Sequence, residues 1–141
     1  ARSPPSPLLF FAYPCLRWAL SVHLPLTTSH PAAEDAEITR WACTSACERF
    51  RLESLLLRHG VSWPMASSSL HWFPHEPYPI LDVRALWSLG LSVPSSYSFP
   101  FWWEYVVTCR GLSARFDMPM RAIDRALWQY SKDNGGPGTA V

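Results

Sequence analysis

LRHGVSWPMASSSL, residues 57–70, is the stretch on which the reading of the fold turns. Gly60 ends an apolar-periodic run, as a glycine just past a helix commonly does. Pro64 then stands where a first-turn proline is tolerated, and MASSSLHWF reads as a second short helix. Two helices joined by this tight L-x-x-G-V turn form a hairpin that can hold an anion. The glycine lets the backbone pass close to a phosphate, and the free N–H groups at the start of the second helix point outward at it. Such a grip needs little net charge and reads no base sequence. The amides of Gly60, Val61 and Ser62 are the expected phosphate ligands, with Arg58, His59 and Arg84 as assisting cations. Trp63 and Trp72 border the turn and are positioned for a wedge or stacking role. The plainer alternative is that Gly60 only terminates a helix.

Upstream, SHPAAEDAEITRWACTSACERFRLESLLLRHG opens with an acidic first turn at Glu34, Asp35 and Glu37, which suits the positive end of a helix dipole. Ile38, Trp41 and Ala42, then Phe50, Leu52, Leu55 and Leu56, keep a helical period with a break expected near Thr44. Downstream, Pro74, Pro77 and Pro79 forbid regular structure until Ile80, and Asp82 then opens the helix VRALWSLG, closed by Gly90. Ser98 is the expected N-cap of a helix with Pro100 in its first turn, FWWEYVVTCRGLSARF, apolar on most faces and so expected to be central. Asp117 is expected to cap MPMRAIDRALWQYSK, with Met120, Ile123, Leu127 and Tyr130 as one stripe and Asp124 on the surface. No segment alternates with period two. The expectation is an all-α, compact helical domain of five or so helices over residues 34–132, after an unreadable segment 1–33 and before a flexible tail 133–141.

Composition narrows the function. The 141 residues suffice for one domain, and 48% apolar against 16% charged residues exclude a disordered middle. A net charge of +1 excludes a polycationic nucleic-acid tail without excluding local phosphate binding. Lys132 is the one lysine beside eleven arginines, so no mid-chain lysine amine is available for chemistry. Cys15, Cys43, Cys47 and Cys109 read as reduced thiols acting as small hydrophobes. His71 and His75 have Pro74 between them, and Cys43 with Cys47 make half a site, so no metal and no cofactor are expected. Residues 1–33 are apolar, but Pro14, Arg17, His23 and Pro25 interrupt every run short of the ~20 residues of a spanning helix. No A-x-A cleavage signature stands there either, so no membrane partner is expected. With Ala as the first residue in place of Met, a processed product or a fragment is expected.

Gly60-Val61, then Ala66 and Leu70, then Asp82, with Leu89-Gly90 beyond, resembles the helix-hairpin-helix DNA glycosylase superfamily of endonuclease III and its relatives. In that family a Leu-Pro-Gly-Val-Gly hairpin is followed by a small residue in the second helix and an essential Asp before the next. The separation from Gly60 to Asp82 is similar. PILDVRALWSLG and RAIDRALWQYSK also look like segments of small bacterial proteins of this type. The likeness covers about residues 38–132 and is best between Leu57 and Gly90. It implies base excision: bent DNA, a flipped nucleotide and cleavage of its glycosidic bond. Asp82 would stabilise the oxocarbenium-like sugar and orient or activate the nucleophile.

The departures from the family are specific. Ser62 replaces the hairpin's second glycine, Pro64 stands where bifunctional members carry their Schiff-base lysine, and only Cys109 lies where iron–sulfur members carry four cysteines. The chain is also shorter than a two-lobed glycosylase. The resemblance therefore implies a monofunctional enzyme using water, with no cluster and no strand cleavage. It would act as a monomer on double-stranded DNA, independent of sequence, in the cytoplasm at the nucleoid. A non-catalytic DNA-binding module and a scaffold that packs on a partner chain remain the alternatives, and Asp82 as a plain helix cap is the bland reading of that residue.

Overall fold

The computed structural model describes residues 32–72 and 77–138. The expected segment 1–33, Cys15, Pro74 and His75 fall wholly or largely outside the described residues. Every regular element among them is a helix, in the order α1 (Ala32–Thr44), α2 (Glu48–Leu56), α3 (Trp63–His71), α4 (Val83–Ser88), α5 (Phe99–Phe116) and α6 (Met120–Asp133). The chain divides into two compact units, the first ending at Pro77 and the second beginning at Tyr78.

In the first unit, the break expected near Thr44 separates α1 from α2. Ser45 makes it: its hydroxyl accepts from the Cys47 amide, and its carbonyl accepts from Arg51 Nε at 2.7 Å, which braces the corner. α2 packs on both α1 and α3. Ile38, Ala42, Leu52, Leu55, Ala66 and Leu70 are buried. α3 also buries Ser67 and Ser69, whose hydroxyls donate back to the Pro64 and Met65 carbonyls and so leave no orphaned donor.

Arg58 corrects an expectation. It is only 4% exposed, and its Nη2 lies 2.9 Å from Asp35 Oδ2 in α1. The first helix and the end of the second are tied by this ion pair, so the guanidinium does not project from the turn toward a phosphate.

In the second unit, α6 packs on both α4 and α5. The core is Tyr78, Leu81, Ala85, Leu86, Trp102, Tyr105, Val106, Cys109, Met120 and Ile123. Residues 102, 105, 106 and 109 form a single buried stripe on α5 at helical spacing, while Val107 and Phe116 stay exposed. α5 therefore buries one face rather than most of its circumference. Tyr78 stacks on Trp102, with centroids 5.8 Å apart, and Arg110 lies 4.9 Å over the Tyr78 ring.

Helix ends follow the local chemistry in most places. Ser98 caps α5 with Pro100 in its first turn, and Gly90 at φ +71° closes α4. Asp117 departs from expectation: it is the left-handed residue ending α5, at φ 49°, and Pro119 precedes α6 with no side-chain cap. The Met118 amide reaches back to the Ser113 carbonyl at 3.0 Å, a closure that uses Asp117 as its pivot.

The stripe on α6 also differs. Met120, Ile123, Asp124 and Ser131 are buried, while Tyr130 is 54% exposed and pairs with Trp87. At 3.6 residues per turn, Ser131 returns to within about 20° of Met120 around the helix axis, whereas Tyr130 lies about 80° away. Beyond α6 the chain turns back, with Gly136 buried against Ser131.

Because Arg58 is enclosed, removing its partner leaves a charge without compensation. Asp35→Ala should lower stability in chemical denaturation by about 3 kcal/mol. Glu37→Ala, which removes an exposed pair with Arg40, should change it by less than about 0.5 kcal/mol.

Candidate functional site

The turn at 57–62 and the residues around Asp82 belong to different units, and each has its own chemistry.

The turn begins as α2 tightens: the Leu57 and Arg58 amides donate to Ser54 and Leu55 carbonyls three residues back. The Val61 amide then donates to the Arg58 carbonyl at 3.1 Å, and Gly60 takes φ +80°, which a side chain would resist. Ser62 is extended, at φ −89° and ψ 168°, and precedes α3 with Pro64 in the first turn. Its hydroxyl makes no capping bond. Ala66 N–H closes the first helical bond onto the Ser62 carbonyl at 2.9 Å.

Among the described residues, the amides of Gly60, Ser62, Trp63 and Met65 have no hydrogen-bond partner. Those of Ser62, Trp63 and Met65 are the orphan donors at the positive end of the α3 dipole. The expected ligand set of Gly60, Val61 and Ser62 is thus shifted in register. The Val61 amide is consumed by the turn itself, and Trp63 and Met65 add donors that a reading centred on glycine did not include. His59 and Ser62 are exposed and Trp63 is half-buried. Trp72 is exposed, edge-on to the His71 ring.

In the second unit, Asp82 is the N-cap of α4: its Oδ1 accepts from the Arg84 amide at 2.8 Å. Its side chain also borders a cleft of about 560 Å³, which Arg121, Asp124, Arg125, Trp128 and Gln129 of α6 line from the other side. Asp82 is therefore a cap and a cleft residue together. Arg84 does not stand free as an assisting cation. Its guanidinium lies 5.5 Å over the Trp128 ring, and one of its terminal nitrogens is enclosed without a partner. Lys132 approaches the same ring at 4.7 Å.

Asp124, expected on the surface, is 8% exposed. Its two carboxylate oxygens lie 3.2 and 3.4 Å from the Ile80 amide nitrogen, and the Tyr105 hydroxyl donates to the Ile80 carbonyl at 2.8 Å. Burial, added to by nearby Cys109, Asp124 and Asp82, holds the Tyr105 phenol far above its ordinary range, so it remains a donor. Burial also raises the Tyr97 phenol, and the charge of Asp82 adds to it. The sequence signal for Asp124 was its place one residue after Ile123 on the apolar face of α6. A carboxylate at such a position needs an internal donor.

The free thiols offer no nucleophile inside the fold. Burial pushes Cys43 up to about 11, although Arg51 pulls it down, and pushes Cys109 up to about 12 despite its bond with Tyr105. No group of three metal-ligating side chains occurs among the described residues. No helix among them is long and apolar enough to cross a membrane.

No family model, curated protein or solved structure matches the chain.

The dual position of Asp82 separates its two roles by substitution. Asn keeps the capping oxygen, so Asp82→Asn should melt within a few degrees of the parent. Asp82→Ala should lose about 1 kcal/mol, read as a lower midpoint in thermal or chemical unfolding.

Proposed function

We propose that this chain is a helix-hairpin-helix-type protein that grips the phosphate backbone of double-stranded DNA without reading its sequence. The observation that carries the reading is the set of unbonded amides at Ser62, Trp63 and Met65, presented by a turn that Gly60 alone can make at φ +80°. A phosphate oxygen accepts from such donors at the positive end of a helix, and the local charge needed is small. That fits a chain whose net charge is only +1. Trp63, beside the donors, has an apolar face to offer the sugar.

The reading extends to base excision by hydrolysis, supported by the Asp82 carboxylate bordering the 560 Å³ cleft. Oδ1 is held by the Arg84 amide, and Oδ2 has no hydrogen-bond partner among the described residues. A carboxylate fixed in this way stabilises the positive charge that develops on the sugar as the C1′–N bond to the base breaks. Water supplies the oxygen that bonds C1′. The water gives up one proton as it adds, and the departing base nitrogen gains one. With Pro64 in the hairpin and Lys132 as the chain's one lysine, no Schiff base forms in the hairpin and the strand stays uncut. The protein is a monomeric, nucleoid-associated repair protein in this reading. If only the grip is present, it is a sequence-independent DNA-binding module.

Ser62→Pro deletes one unbonded amide at a position whose φ of −89° is near what proline accepts. Fluorescence anisotropy on a plain duplex should show affinity falling about tenfold, the worth of a hydrogen bond to a charged group. The parent's affinity should also fall steeply with salt. Binding that is unchanged by the substitution refutes the grip.

For the chemistry, duplexes each carrying one damaged or mismatched base are assayed for abasic sites. At least one should yield them with the strand intact, and Asp82→Asn should slow release by about 100-fold or more. Salt-sensitive binding with no base release from any duplex would leave the binding module.

A further inference from the structure

We propose that Asp124 is a positioning residue for Asp82: with Tyr105 it holds the Ile80 backbone on both sides of its Cα and so fixes where the Asp82 carboxylate stands in the cleft. This rests on the hydrolytic reading of Asp82 given above.

The segment that delivers Asp82 needs such a device. Residues 77–82 lie in no helix, and Pro77 and Pro79 have no amide proton to anchor them. Tyr78, Pro79 and Leu81 are buried, and the Tyr78 ring stacks on Trp102 under the Arg110 guanidinium, which anchors the start of the segment. Next to Asp82, the Ile80 backbone adds two directional bonds. Its N–H points at the Asp124 carboxylate, shared between the two oxygens at 3.2 and 3.4 Å, and its C=O takes the Tyr105 hydroxyl at 2.8 Å.

The N–H belongs to the peptide unit before the Ile80 Cα and the C=O to the unit after it, so the two bonds fix both units that meet at Ile80. From it only Leu81 separates Asp82, whose own carboxylate is held by the Arg84 amide. The donors and acceptors come from three places: Asp124 from α6, Tyr105 from α5, and Ile80 from the entry to α4. The clamp therefore couples all three helices of the second unit to one side chain. Tyr105 is protonated at any pH near neutrality and serves throughout as donor.

Asp124 lines the same cleft as Asp82, and two facts assign it to support instead of chemistry. It is 8% exposed, and both of its oxygens are turned to the Ile80 amide. A group acting through geometry is replaced by any neutral acceptor of the same shape; a group acting through charge is not.

The test compares Asp124→Ala, Asp124→Asn and Tyr105→Phe in the full chain, with two measurements. The first is base release on whichever duplex the parent cleaves. Asp124→Ala should lower kcat by about 100-fold, the usual effect of a misplaced reacting group, with KM within about twofold. Asp124→Asn, which keeps an oxygen for the Ile80 amide, should recover kcat to within about fivefold of the parent. If Asn fails as badly as Ala, the charge itself is required and the positioning role is overturned. Base release in Asp124→Ala at the parent's rate overturns it as well.

The second measurement is the amide proton resonance of Arg84 in a ¹⁵N–¹H correlation spectrum, because that proton is bonded to Asp82 Oδ1 and reports its place directly. It should move in Asp124→Ala and Tyr105→Phe and stay in Asp124→Asn. An unmoved resonance in both of the first two variants overturns the clamp. The readout needs no activity, so a parent protein that releases no base refutes the hydrolytic reading while the Arg84 resonance still decides the clamp. Tyr105→Phe removes one hydroxyl from the core and answers the same question if Asp124→Ala does not fold.

Discussion

The backbone of Ile80 is held at its N–H by the Asp124 carboxylate and at its C=O by the Tyr105 hydroxyl, and the second unit is organised around that grip. A buried carboxylate is costly unless a donor meets it. Here the donor belongs to a segment whose prolines leave it few others to offer. Each side answers the other's unsatisfied group, so helices far apart in sequence are brought to a common point. The Tyr78–Trp102 stack and the Arg110 guanidinium over Tyr78 close the same segment from the apolar side. Asp82 follows immediately, at the mouth of a cleft, fixed by its own helix.

The first unit solves a different problem. A turn that leaves several amides unbonded presents donors of the kind that suit an anion. Gly60 supplies the backbone reversal, the Val61 amide locks it, and Pro64 begins the next helix without adding another donor. Arg58 is committed to Asp35, so its guanidinium is turned inward instead of displayed at the turn. In the proposed grip, the pull on a phosphate would come from oriented backbone dipoles more than from side-chain charge.

Much of this was legible in the sequence where the cause is local. Gly90 closes a helix and Gly60 makes the turn beyond one because φ near +75° suits a residue without Cβ, and Asp82 and Ser98 cap helices because their short oxygens reach amides two or three residues on. The break after Thr44 and the all-helical character follow from the same short-range rules. Asp117 shows where those rules compete: an Asp before a helix reads as an N-cap, yet the preceding helix used it as a left-handed terminator, which Asp also tolerates. Tyr130 and Ser131 exchanged roles because a stripe over three turns is sensitive to its assumed phase, and one residue moves a side chain about 100° around the axis.

By itself, the sequence determined the helices, most of their ends, the glycine turn and the capping role of Asp82, all set by contacts within a few residues. Only the tertiary structure decided that Arg58 is buried on Asp35, that Asp124 belongs to the core, and that Asp82 borders a cleft. The partner of Arg58 lies 23 residues away and the partner of Asp124 lies 44 away. No helical period or motif spacing encodes a pairing at that range. It is fixed by which faces pack together, and packing then brings each buried charge a donor or acceptor that makes its burial tolerable.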